Sequence, residues 1–244
     1  MLNDHVPNTA EWFFKTSAFL AWHNGIGSKT LYVEGINGAG KSMLASLAAD
    51  HLLNLRKSVP DVKVAVLSAY YDYKTPDQQR CADMIAGMLK QFLSSSQRIH
   101  PEIRQLHSNF SIGKRPSKDD MFRVLLQVIR DFTAVFLIVD ALDECSVSNR
   151  KELEDLISGI QTMARGENVD IRLLATSRPN ELNERLVGGV KTTYRAEEKD
   201  LLSLLEHRIG PETVFISDKA IWIRAKKQVA STANGMSVHM LHLY

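Results

Sequence analysis

The sequence predicts an α/β fold, a mostly parallel sheet covered by helices on both faces. Three observations carry that expectation. Short apolar, β-favouring runs alternate along the chain with segments whose apolar residues recur at helical spacing. Residues Gly35 to Ser42 read Gly-Ile-Asn-Gly-Ala-Gly-Lys-Ser, a full match to the phosphate-loop pattern G-x-x-x-x-G-K-[ST], set between one such strand and one such helix. A third strand, unbroken in its apolar character, ends in the acidic turn Asp140-Ala141-Leu142-Asp143-Glu144.

The first segment is dense in aromatics: Trp12, Phe13, Phe14, Phe19 and Trp22 at roughly helical spacing. It reads as a helix packed on the sheet domain, with contact of its start to a nucleotide base as the alternative. Leu31-Tyr32-Val33 is the first strand, and Leu44, Leu47, Ala48, His51, Leu52 and Leu55 mark the helix after the glycine loop. Val62 to Tyr71 reads as a second strand, followed by a helix from about Asp77 to Leu93. Residues 94–118 are the least regular stretch, interrupted by a short helix around Ile103–Leu106.

Ser117-x-x-Asp120 resembles a capping box that opens the next helix, with Leu125, Leu126 and Ile129 facing inward. Val135 to Val139 is a buried strand, because alternation is lost only where both faces of a sheet are covered. Leu153, Leu156, Ile157 and Ile160 mark another helix, and Ile171 to Thr176 a further strand. A short helix carrying Leu182 and Leu186 and a last strand at Thr192–Tyr194 complete the alternation. From about residue 197 the strands stop. Leu201, Leu202, Leu204, Leu205, Ile209 and then Ile221 to Ala233 are helical in pattern, so 1–196 reads as a nucleotide-binding domain and 197–244 as part of an appended helical domain.

Composition narrows the function. The 244 residues are 44% hydrophobic and 24% charged, ordinary for a globular protein, and the net charge is only +2. No basic run exceeds Lys226-Lys227, which leaves no electrostatic footprint for nucleic acid. Cys81 and Cys145 stand far apart and read as buried thiols in a reducing compartment. The longest apolar stretch, Ala134 to Val139, is too short to span a bilayer, and the first residues lack a secretory pattern. The expectation is a cytoplasmic protein with no membrane and no nucleic-acid partner.

The site residues follow from chemistry. Glycines permit a tight loop whose N–H groups turn inward on phosphate oxygens, and the helix N-terminus behind it adds partial positive charge. Lys41 would reach the β- and γ-phosphates, and the Ser42 hydroxyl would ligate Mg²⁺. Asp140, ending a buried strand where open α/β sheets bind ligands, can hold the same metal through its water shell. Asp143 or Glu144 could orient or deprotonate an attacking water. Arg178, in Thr176-Ser177-Arg178-Pro179 at the next strand's end, is placed to sense the γ-phosphate, with a surface salt bridge as its alternative. The expected nucleotide contacts are Gly35, Ile36, Asn37, Gly38, Ala39, Gly40, Lys41, Ser42, Met43 and Trp12.

These residues resemble the NACHT-type signal-transduction NTPases of the STAND class, particularly the fungal ones. Thr9-Ala10-Glu11-Trp12 is similar to the segment those proteins place before the first strand, near the base. Tyr70-Tyr71-Asp72-Tyr73 resembles the exit of their second strand, Val139-Asp140-Ala141-Leu142-Asp143-Glu144-Cys145 their signature, and Leu174 to Pro179 their sensor segment. Ala233-Asn234-Gly235-Met236 resembles a helix of the appended domain. Ala10 stands where glycine is common, and Asn37 where proline often stands. The resemblance implies an ASCE-type P-loop NTPase sheet of strand order 5-1-4-3-2, and a regulatory module that binds ATP or ADP with Mg²⁺. It implies slow hydrolysis coupled to a conformational or assembly switch, with self-association within a longer protein. A small-molecule kinase and a GTPase share the phosphate loop. The first would need an acceptor pocket and an arginine-bearing lid, and the second typically carries Asn-Lys-x-Asp, which is absent.

Overall fold

The computed structural model describes residues 9–58, 63–72, 80–95, 99–110, 115–179 and 189–208, together with the pairs 223–224 and 227–228. Five strands form one sheet: β1 (Thr30–Glu34), β2 (Val64–Tyr70), β3 (Ala134–Asp140), β4 (Asp170–Ser177) and β5 (Val190–Thr193). All pairings are parallel, and the order is β2-β3-β4-β1-β5. Read from the other edge this is 5-1-4-3-2, the order that the resemblance implied.

Both faces are covered, which explains the unbroken apolar run of β3. Val135, Leu137 and Val139 enter a core with helices α3 (Cys81–Ser95), α5 (Lys118–Ile129) and α6 (Val147–Glu167). Phe136 and Ile138 enter a second core with α1 (Ser17–His23) and α2 (Lys41–Ser58). Every residue of β3 from Val135 to Asp140 is therefore buried. Helix α4 (Pro101–Asn109) packs on α5, and α7 (Glu198–Arg208) follows β5.

Local chemistry sets the helix ends. The Ser117 hydroxyl accepts the Asp120 N–H at 3.1 Å and opens α5, as its sequence pattern predicts. Ser146 caps α6 in the same way, and that helix closes on Asn168, whose φ of 58° is the left-handed conformation asparagine tolerates. The aromatic segment is not one helix. It forms a 3-10 turn, Phe13–Lys15, and then α1, divided at Thr16, which adopts an extended backbone and caps α1 by accepting the Phe19 N–H. Its rings nonetheless pack as expected: Phe13, Phe19 and Trp22 are fully buried against α2 and β3.

At the β2 edge of the sheet, α3 supplies a substitute neighbour. Gln91 accepts the Ser68 N–H and donates to the Ser68 carbonyl, both at 2.8 Å, so one side-chain amide takes the part of a strand's peptide group. Cys81 and Cys145 are buried free thiols, and burial pushes Cys81 up to about 11. Several expected features lie outside the described residues: the helix start at Asp77, Tyr73, the helix through Leu182 and Leu186, and Ala233–Met236. Of Ile221 to Ala233, the pairs 223–224 and 227–228 are helical. Among the described residues no helix is long and apolar enough to cross a membrane.

Candidate functional site

The parallel register brings the C-terminal ends of the five strands to one edge. Glu34 of β1 stands opposite Ser177 of β4 and Thr193 of β5, and Tyr70 of β2 stands opposite Asp140 of β3. The glycine loop leaves β1 there. The Gly35 N–H donates to the Ser177 carbonyl at 3.1 Å, and a Cβ at Gly35 would lie 2.7 Å from the carbonyl oxygen of Tyr194, so only glycine fits. Gly40 has a φ of 88°, in the left-handed region open to glycine, and its carbonyl accepts the Leu44 N–H to start the ladder of α2. The N–H groups of the first turn of α2 accordingly have no acceptor within the helix, which is the arrangement that favours anions. Ser42 is exposed at this turn, and Ile36 and Asn37 are exposed on the loop.

Lys41 curls back over the loop. Its Nζ donates to the carbonyls of Gly35 at 2.7 Å and Ile36 at 3.0 Å. Burial pulls its pKa down, Asp143 and Asp140 oppose that shift, and Arg178 adds to it. The groups that the sequence singled out in three separate segments thus share one electrostatic environment.

Asp140 is 2% exposed. Burial pushes its carboxyl pKa up, while hydrogen bonds from Ser42 and Thr176 and the charge of Lys41 hold it down against that tendency. Thr176 Oγ1 donates to Asp140 Oδ1 at 2.5 Å and accepts the Ala141 N–H at 2.9 Å. Ala141 itself has a φ of 54°, a strained backbone for a residue with a side chain. That kink turns the chain into the 3-10 turn Leu142–Glu144 and brings Asp143 back toward β4.

Asp143 meets Arg178. Asp143 accepts the Arg178 backbone N–H at 3.1 Å and its Nε–H at 2.5 Å, and the carboxylate is only 3% exposed while the arginine side chain is 49% exposed. The salt bridge weighed for Arg178 is real, and its partner is another site residue. Arg150 on α6 steadies the same turn, donating to the carbonyls of Asp143 at 3.1 Å and Cys145 at 3.4 Å.

Trp12 stacks its ring on Tyr194, with centroids 5.6 Å apart and planes 4° from parallel. Its Nε1 donates to Asp200 at 2.9 Å. Thr9 lies against the start of α2, its hydroxyl 4.0 Å from the sulfur of Met43. Sequence reasoning placed the segment carrying Thr176 but gave it no role, and it missed Arg150 and Asp200. A hydroxyl ending the apolar run Leu173–Ala175 was the available signal for Thr176, whereas the other two had none.

Among the described residues no cluster of three or more His, Cys, Asp or Glu side chains could hold a metal ion alone. The Ser42 hydroxyl and the Asp140 carboxylate, already hydrogen-bonded to each other, are two hard oxygen donors. That set fits Mg²⁺, which keeps several waters and shares its coordination with phosphates.

Fold and site define a phosphate-loop NTPase module. The family model described as Nephrocystin 3, N-terminal, matches residues 8–178, and the chain belongs to that family. The vegetative incompatibility protein HET-E-1 of Podospora anserina is 26% identical over 157 residues, covering 60% of this chain and 11% of that protein. The matches bear out the resemblance to NACHT-type STAND NTPases. Among solved structures, the Aeropyrum pernix ORC2 protein in its ADP form aligns with a TM-score of 0.60 at 14% identity, over 90% of this chain and 57% of its own. The ORC1 protein of the same organism, in complex with DNA, aligns at 0.56 and 15% identity over 94% of this chain and 56% of its own. These two likenesses show the fold alone. The chain spans about a tenth of the HET-E-1 protein and just over half of either structure.

Proposed function

We propose that the chain is an ATP- and ADP-binding regulatory NTPase module whose slow, Mg²⁺-dependent hydrolysis is coupled to a conformational or assembly switch. The observation that carries this reading is the convergence of Lys41, Asp140, Asp143 and Arg178 on the phosphate-loop edge, with Arg178 engaged by Asp143. Residues 1–196 form the nucleotide-binding domain and 197–244 the beginning of a helical domain in this reading.

The loop amides and the first turn of α2 bind the phosphates, and Lys41 exchanges its two loop carbonyls for the terminal phosphate oxygens. Ser42 and Asp140 would hold Mg²⁺, which supplies charge neutralisation between the phosphates. Glu144, on the rim beyond Asp140, orients the attacking water. Thr176 keeps Asp140 aimed by donating to one of its oxygens. Arg178 supplies positive charge at the γ-phosphate only after leaving Asp143, and an arginine in that role contributes roughly 10³-fold or more to rate. Hydrolysis is therefore well below the roughly 10 s⁻¹ of ordinary enzymes until a partner or a second copy reorganises the edge. Nucleotide is the small-molecule partner, self-association in a longer protein the macromolecular one, and nucleic acid is not expected at a net charge of +2.

Isothermal titration of the protein with ATP, ADP, GTP and GDP, each with Mg²⁺, tests the reading, with Lys41→Ala as control. Adenine nucleotides should bind, and Lys41→Ala should abolish binding while the circular dichroism spectrum is kept. Preference for guanine nucleotides would favour a GTPase. Turnover in the ordinary enzymatic range by a monomer, measured as phosphate release with light scattering, would favour a kinase or a self-sufficient ATPase.

A further inference from the structure

The carboxylate of Asp200 is 4% exposed and joins the first described segment of the chain to the last long helix. It accepts the Ala10 N–H at 2.8 Å, the Trp12 Nε1–H at 2.9 Å and the Glu197 N–H at 3.0 Å. The third bond is the returning half of a capping box: Glu197 is the residue before α7, Asp200 is its third residue, and the side chain reaches back to satisfy an amide at the helix start. One carboxylate therefore caps α7 and anchors the Ala10–Trp12 segment. Ala10 has a φ of 56°, a backbone that alanine holds only when its surroundings enforce it.

That segment is in contact with the phosphate loop along two routes. Thr9 touches Met43, the residue after Ser42, at 4.0 Å. The Trp12 ring lies on Tyr194, whose N–H donates to the Glu34 carbonyl at 2.7 Å and whose own carbonyl closes over Gly35. From the first glycine of the loop to α7 there is an unbroken path of packed and hydrogen-bonded groups, with Asp200 as the link between residues 10–12 and the helix.

We propose that Asp200 is a positioning residue for nucleotide binding: it holds the Ala10–Trp12 segment against the start of α2 and ties that segment to α7, so that nucleotide release and loosening of α7 are one event. The proposal rests on the reading of the loop as a nucleotide site. Loss of the Asp200 bonds loosens both ends together, because the one carboxylate holds the Ala10 and Trp12 N–H groups and also the amide that opens α7.

The test compares the unaltered protein, Asp200→Asn, Trp12→Phe and Lys41→Ala, using ribose-labelled fluorescent ADP with Mg²⁺. Dissociation is followed by stopped flow, and hydrogen exchange of residues 198–208 is followed with and without ADP. Asp200→Asn, which turns an acceptor into a donor facing N–H groups, should speed dissociation about 10-fold, the effect of losing one charge-assisted hydrogen bond. The unaltered protein should show ADP-dependent protection of α7, and Asp200→Asn should remove it. Trp12→Phe deletes one donor, keeps a ring on Tyr194 and should fall between, which keeps the test decisive if Asp200→Asn does not fold. Dissociation of both variants at the unaltered rate, or an α7 indifferent to ADP, overturns the proposal. If the unaltered protein does not bind ADP, or Lys41→Ala binds it equally, the nucleotide reading fails and this proposal with it.

Discussion

Thr176 and Asp140 are joined across two adjacent strands by a 2.5 Å hydrogen bond, and the same threonine oxygen takes the N–H of Ala141. One hydroxyl thus fixes both the aim of the buried carboxylate and the left-handed turn that follows it. Thr176→Val, which keeps the shape and removes the hydroxyl, should leave two polar groups without this partner and cost about 1–3 kcal/mol of stability. Asp140→Asn keeps the volume and removes the charge. Both should weaken the Mg²⁺ dependence of nucleotide affinity, read by titration with and without the metal. Unchanged metal dependence in both would remove Asp140 from the metal site.

Asp143 and Glu144 separate into different roles. Asp143 is engaged by Arg178 through two N–H groups, which leaves it poorly placed to take a proton. Glu144→Gln should therefore spare binding and abolish residual phosphate release. Asp143→Asn should spare binding and leave release equal or faster, because the arginine is less firmly held. The reverse pattern would make Asp143 the base.

Gln91 predicts a stability effect remote from the site. Its amide makes two 2.8 Å bonds to the backbone of Ser68 on the sheet edge. Gln91→Leu should lower stability in urea by about 1–3 kcal/mol and raise the tendency to associate through the bared edge. Equal midpoints would mean that water replaces the amide without cost.

His51 gives a pH dependence. It stacks on Phe14 at 4.7 Å, and burial, assisted by His23, lowers its pKa below the ordinary histidine value of 6.5. The unfolded chain therefore takes up a proton before the folded one does. The stability contributed by neutral His51 is present above about pH 6.5 and is lost as pH falls through the depressed folded value. The melting temperature should drop over that window, and His51→Phe, which keeps the stack, should flatten the slope. An equal slope in the variant would assign the effect to other groups.

The sheet was legible because burial on both faces writes itself into sequence: β3 could be nothing but an internal strand, and a carboxylate at its end had to be compensated. The phosphate loop was legible because its glycines, lysine and serine are contiguous. Helix ends were legible where the cap is local, as at Ser117, and not where Thr16 divides the aromatic run. Thr176, Gln91 and Asp200 were not legible as partners, since their hydrogen bonds span 36, 23 and up to 190 residues. For Gln91 and Asp200 nothing adjacent in the chain distinguishes the residue from a solvated one. Arg178 could be placed at the edge from sequence, but its pairing with Asp143 is a matter of rotamer and turn geometry.

The strand order also dictates when the site can exist during synthesis. β1, which carries the phosphate loop, pairs only with β4 and β5, and both are made long after it. A nascent chain ending before Asp170 would carry the entire loop sequence and the acidic turn, yet β1 would have no neighbour and Asp140 no threonine. Such non-local pairings are slow to form. Until roughly four-fifths of these residues have left the ribosome, Leu31 and Val33 await partners, and this is the interval in which a chaperone would find most to hold.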